Sequence, residues 1–195
     1  MTRCILGIDP GMSGAIAFYF PDHPERVAVE DMPVVAGDVD AVTLAKHIAA
    51  MAPDLAFLER VNAMPGQGVS STFKFGRSYG VALGVIGAAA IPLHLVTPAK
   101  WKGHLRLSSD KEQARALALR LFPACSERFQ RKKDHGRAEA ALIARYGAET
   151  MHLIGGAVTP TTEYTLAILR VVCLRLKLID GEAASIGVEA GAGDG

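Results

Sequence analysis

The chain has 195 residues, 50% hydrophobic and 21% charged, which suits one globular domain with a sizeable core and leaves little room for two. No apolar run approaches the roughly 20 residues that span a bilayer, and Met1-Thr2-Arg3-Cys4-Ile5 lacks the features of a secretory signal, so a cytoplasmic protein is expected. The net charge of +1 is unevenly spread: residues 1–60 carry 4 basic and 9 acidic side chains (−5), residues 61–133 carry 12 and 3 (+9), and residues 134–195 carry 5 and 8 (−3). A basic middle between acidic ends can place carboxylates beside a cationic groove.

In chain order, Cys4 to Asp9 is an apolar run ending on a carboxylate, and the Pro10-Gly11-Met12-Ser13-Gly14 turn leads into Ala15 to Phe20, a pattern that predicts a hairpin of two buried strands. Val27 to Val29 predicts a third strand. Val42 to Met51 has helical apolar spacing and ends at Pro53, and Asp54 to Glu59 is again an apolar strand finishing on an acid. Ser70 to Ala90, rich in Gly and Ala, predicts a helix packed closely on the sheet. Pro92 to Val96 predicts a strand, and Pro98 to Lys102 a short helical turn. Ser109 with Glu112 resembles a capping box opening a helix that Phe122-Pro123 closes. Arg131 to Gly136 reads as a charged loop and Arg137 to Tyr146 as an Ala-rich helix. The expected domain therefore covers 1–150, followed by a 151–195 extension with a helix over 164–178 and a mobile Gly/Ala-rich tail. The three cysteines, Cys4, Cys125 and Cys173, lack CxxC spacing, which argues against a disulfide framework or a zinc knuckle.

Two-metal phosphodiester cleavage needs several carboxylates converging from different elements, because hard divalent cations prefer oxygen ligands. The candidates are Asp9, Glu59, Asp134 and Glu139. His135 lies four residues before Glu139, on the same face of a helix that extends that far, and Asp134 is slightly off that face. Each acid alone could be a solvated terminus; Asp134 could simply neutralise Lys132 and Lys133.

Ile8-Asp9-Pro10-Gly11 with Ser13-Gly14, then Leu58-Glu59, then Lys133-Asp134-His135-Gly136-Arg137-Ala138-Glu139-Ala140, resemble the acidic motifs of the RuvC-type Holliday-junction resolvases, particularly the shorter phage-like branch. Phe73 to Gly80 is similar to the family's Gly-punctuated helix, and Val96-Thr97-Pro98 with Lys100-Trp101-Lys102 to its next segment. The resemblance covers about residues 3–147. It implies an α/β RNase H-like fold: a mixed five-stranded sheet, order 3-2-1-4-5, with helices on both faces. It also implies a homodimeric DNA endonuclease acting on four-way junctions with two Mg²⁺ ions per site, Mn²⁺ being able to substitute. Asp9, Glu59, Asp134 and Glu139 would be the ligands, with Asp134 or His135 completing the site. The chain departs from the family at Gly136, where RuvC proteins carry an acid or a His three residues before the last acid, and at Asn62 and Ala63, where they carry an aromatic.

Lys74, Arg77, Lys100, Lys102, Lys111, Arg131, Lys132 and Lys133 are the expected DNA-backbone contacts. Trp101 could stack on a base or lie in the core, and of Phe73 and Phe75 at least one should be core. Two other function classes fit parts of the pattern. Gly7 to Gly14 also resembles the first phosphate loop of actin-like and sugar-kinase ATPases, which need two such domains. A catalytically idle DNA-binding relative is the third class, and the four acids weigh against it.

Overall fold

The computed structural model describes residues 3–60, 66 and 68–151. The chain divides between Gly155 and Gly156, and every described residue lies in the first part. The expected C-terminal helix and tail lie outside the described residues, as does Cys173.

Five strands form one sheet: β1 (Ile5–Asp9), β2 (Ala15–Tyr19), β3 (Val27–Asp31), β4 (Leu55–Glu59) and β5 (Leu93–Val96). Their order is β3-β2-β1-β4-β5. β1 pairs antiparallel with β2 and β2 with β3, whereas β1–β4 and β4–β5 are parallel. This is the expected 3-2-1-4-5 order when only the sheet's own strands are counted. A two-stranded ladder, Val34–Val35 with Asp38–Val39, lies in the chain between the third and fourth strands. Strands of two residues show no period, so the sequence carries no signal for it.

Strands β1 and β4 read as continuous apolar runs because both faces of the sheet are covered. On one face α1 (Ala41–Met51) and α2 (Val69–Ala88) bring Leu44, Ile48, Ala82 and Ile86 against Leu6, Ile8, Ile16 and Leu58. On the other, α3 (Pro98–His104), α4 (Lys111–Leu121) and α5 (His135–Thr150) pack Trp101, Ala114, Ala118 and Ala141 with Ile5, Ala17 and Phe57. Period-two alternation along β1 thus feeds two separate cores, each fully buried large side chain contributing roughly 1.5–3 kcal/mol. Among the described residues no helix is long and apolar enough to cross a membrane.

Helix α5 rests directly on β1. A Cβ on Gly7 would lie 2.3 Å from the Ala140 carbonyl oxygen and 2.4 Å from the Ala144 nitrogen, so only glycine permits this approach. Helix α5 is also longer than expected, and the predicted charged loop before it contains a 3₁₀ turn, Lys132–Asp134, that runs straight into it. The N-cap of α4 is Asp110 rather than Ser109. The helix begins at Lys111, one residue later than the capping-box reading placed it, and the Asp110 carboxylate accepts from the Glu112 N–H.

Candidate active site

Asp9 ends β1 and Glu59 ends β4. The two strands are parallel neighbours, with Ile8 paired to Leu58, so both carboxylates emerge at the same edge of the sheet. Helix α5 starts at that edge: a Cβ on Gly136 would lie 3.3 Å from Asp9 Oδ2 and 2.6 Å from the Ser13 carbonyl oxygen. One turn further on, Glu139 is 6% exposed. Three acids from three elements are thereby set close together, and two of them are held by consecutive residues of α3. The Trp101 indole N–H donates to Glu59 Oε1 at 2.8 Å, and the Lys102 ammonium donates to Glu139 Oε1 at 2.7 Å.

The charges act on one another. Burial, followed by the nearby Glu139 and Glu59 carboxylates, pushes Asp9 well above the ordinary carboxylate range against the weaker pull of Lys111 and Lys102. Burial is also the largest influence on Glu59, and with Glu139 it raises that carboxyl even though the Trp101 hydrogen bond opposes it. Adjacent acids with raised pKa values at a sheet edge have an excess of negative charge that a cation would relieve.

Asp134 stands apart from this group. It is 2% exposed, it accepts from the Arg131 backbone N–H at 2.8 Å and from the Arg131 guanidinium at 2.9 Å, and Arg137 lies 3.9 Å away. Burial alone would raise it, but the hydrogen bonds and charges of Arg131, with Arg137, hold it below the usual range. Asp134 closes the turn that launches α5, and its oxygens are already partnered. His135, the first residue of α5, sets its ring Nδ1 3.4 Å from the Lys132 carbonyl oxygen. The structure therefore gathers Asp9, Glu59 and Glu139, and gives Asp134 and His135 other partners.

No protein-family model matches the chain. Over 92 residues, 46% of its length, it is 32% identical to the chloroplastic Holliday junction resolvase MOC1 of Chlamydomonas reinhardtii, and it spans 10% of that protein. Two structures of Thermus thermophilus RuvC align over 77% of this chain and 96% of theirs. One, in complex with a Holliday junction substrate, has a TM-score of 0.55 at 15% identity, and the other has 0.54 at 16%. The fold is that of the RuvC resolvases.

Within this RuvC-like fold the departure at Gly136 has a steric cause. The β1–β2 turn lies so close to the start of α5 that a side chain at position 136 would meet Ser13, Gly14 and Asp9 itself. No acid can stand three residues before Glu139 without moving the turn.

The donor chemistry fits the divalent cation that the resemblance implies: three carboxylates, mutually repelling, at one sheet edge. Their arrangement is open, however. Among the described residues no three His, Cys, Asp or Glu side chains stand where one ion could take them all. Glu59 is turned onto Trp101 and Glu139 onto Lys102.

Three of the expected DNA-contacting bases are engaged with acids of the chain. Lys102 holds Glu139, Arg77 pairs with Asp38, and Arg131 grips Asp134. Lys74, Lys100, Lys111, Lys132 and Lys133 are exposed. Beside the acids, the β1–β2 turn and α2 enclose an open cleft of about 410 Å³ that carries Lys74 and Phe75. At least one of Phe73 and Phe75 was expected in the core, but neither is fully buried: Phe73 is 65% exposed, and Phe75 lies half-buried against Gly11. Of these three aromatics only Trp101 is fully buried. Its role was not legible as a site residue because nothing in the spacing of Lys100-Trp101-Lys102 says that the indole edge faces the second acid.

Proposed function

We propose that this chain is a metal-dependent, structure-selective DNA endonuclease that resolves four-way junctions. The observation that carries this reading is the convergence of Asp9, Glu59 and Glu139 from β1, β4 and α5 on one edge of a RuvC-like sheet, next to Lys102 and Lys111. Asp9, Glu59 and Glu139 would hold two Mg²⁺ or Mn²⁺ ions. When bound, such ions supply Lewis acidity and an activated water for in-line attack on a phosphodiester, leaving 5′-phosphate and 3′-hydroxyl ends. Carboxylates on strand ends are held rigidly, while Glu139 can leave Lys102 as DNA and metal arrive. The Lys102 ammonium, partly buried beside Glu139, supplies positive charge where a phosphate must sit. Exposed Lys74, Lys100, Lys132 and Lys133 bind the DNA backbone without reading bases.

Paired incisions on a four-way junction require two sites, hence a homodimer. In support, α2 turns a smooth surface outward: Val69 is 87% exposed, and Cβ atoms built on Gly76, Gly80 and Gly84 would meet nothing among the described residues. The nuclease domain is assigned to residues 1–150.

The test is cleavage of a four-way junction, a replication fork, a flap and a linear duplex with Mg²⁺, Mn²⁺ or excess chelator. Preferential, chelator-sensitive junction cutting into ends that DNA ligase seals is expected. Cleavage unaffected by chelator, or ATP hydrolysis without nicking, would overturn the reading.

A further inference from the structure

We infer that Trp101 is a positioning residue for the acid cluster, its indole edge fixing Glu59 and its ring face seating the lysine that holds Glu139. The inference rests on the nuclease reading above and goes beyond it by giving a role to a side chain that touches neither DNA nor metal.

The geometry is specific. Trp101 is 0% exposed, within the core that α3, α4 and α5 form against the sheet. A tryptophan in such a place needs a partner for its N–H. It takes Glu59 Oε1 at 2.8 Å, not a backbone carbonyl. The Lys102 ammonium lies 5.0 Å from the centre of the same ring, within the range of a cation–π contact, and continues to Glu139 at 2.7 Å. One rigid side chain thus meets Glu59 of β4 directly and Glu139 of α5 through Lys102, and so sets the separation of two acids that would share cations. Thr97 and Pro98 start α3 directly after β5, which fixes where the ring enters. A purely structural tryptophan would need only the packing; the hydrogen bond to a candidate ligand is the additional feature. Groups that orient metal ligands typically change metal affinity 10- to 100-fold when lost.

The chain contains a single tryptophan, which makes two measurements possible. In the first, the protein is produced in a tryptophan auxotroph fed 3-benzothienylalanine, which replaces the indole N–H by sulfur at nearly constant shape. Mn²⁺ binding is then followed by calorimetry alongside junction cleavage and thermal melting, and Trp101→Phe serves as the genetic counterpart. Roughly tenfold weaker Mn²⁺ binding is expected, with junction affinity unchanged, the fold retained, and kcat recovering at high metal. Unchanged Mn²⁺ affinity in a folded protein would overturn the inference.

The second measurement uses the unmodified protein, so it does not depend on either replacement folding. Mn²⁺ or Mg²⁺ titration should alter Trp101 fluorescence with the midpoint found by calorimetry, and Glu59→Gln should remove most of that change. Flat emission while calorimetry registers binding would also overturn the inference. If the unmodified protein binds no Mn²⁺ and cuts no junction, the nuclease reading itself falls, and the positioning role with it.

Discussion

Gly136 lies directly against Asp9: a Cβ built on it would be 3.3 Å from Oδ2 of Asp9 and 2.6 Å from the carbonyl oxygen of Ser13. Alanine is the better helix former by about 1 kcal/mol in a helix interior, so propensity alone predicts that Gly136→Ala stabilises α5. Overpacking against backbone commonly costs about 1–3 kcal/mol and should win. Urea denaturation should show Gly136→Ala less stable than the parent by about 1–2 kcal/mol, with cleavage reduced because Asp9 is displaced. A stability gain would mean that the turn yields freely.

Replacing Asp9 by Asn should separate stability from activity. A carboxyl raised in the fold favours the folded state while protonated and loses that contribution as pH rises through its folded value. Asp9 and Glu59 are both raised, burial being the first cause and their acid neighbours adding to it. Without metal, the protein should therefore lose stability from the ordinary carboxylate range toward neutrality. Asp9→Asn removes one such charge, so it should melt higher than the parent at neutral pH in chelator while cleaving at least about a hundredfold more slowly. A lower melting temperature would contradict the electrostatic account.

Asp134 carries the opposite sign. The hydrogen bonds and charge of Arg131, with Arg137 beyond, overcome burial and depress it, so its stabilisation is present above the ordinary carboxylate range and disappears as pH falls through its folded value. Asp134→Ala should destabilise by about 2 kcal/mol yet retain cleavage within a few-fold at a temperature where it stays folded. Loss of cleavage with unchanged melting would instead make Asp134 a ligand.

Lys132 and Lys133 are exposed just before α5. Their joint replacement by Ala should weaken binding to every junction sequence alike and lower the slope of log affinity against log salt by about 2. An unaltered slope would place that turn away from DNA.

The thiol of Cys4 is pushed up to about 11 by burial and then by the Asp54 carboxylate. At pH 8 it should react with maleimides far more slowly than an ordinary surface thiol. Mass mapping of the labelled sites after brief exposure would check this, with early modification at Cys4 as the contrary result.

The sequence alone was enough for the five strands of the main sheet and for the acids that end β1 and β4, though not for the ladder of Val34–Val35 with Asp38–Val39. Apolar runs that stop on Asp9 and Glu59 are local signals, produced by a chain that must bury both faces of a sheet and yet leave a carboxylate at its edge. The Gly-rich turn after Asp9 and the small residues of α5 are equally local, because close approach forbids larger side chains. What the tertiary structure alone decided is which charges meet. Asp134 and Glu139 are near one another in sequence and look alike there, yet Arg131 takes the first and Lys102, from another helix, takes the second. Lys102 and Lys100 are indistinguishable in a basic segment, but only Lys102 points into the site. Trp101 and Glu59 are 42 residues apart, and no periodicity records that a buried N–H will find its acceptor on the neighbouring strand. Such pairings depend on side-chain directions after the layers have packed, so they belong to the fold and not to any segment of it.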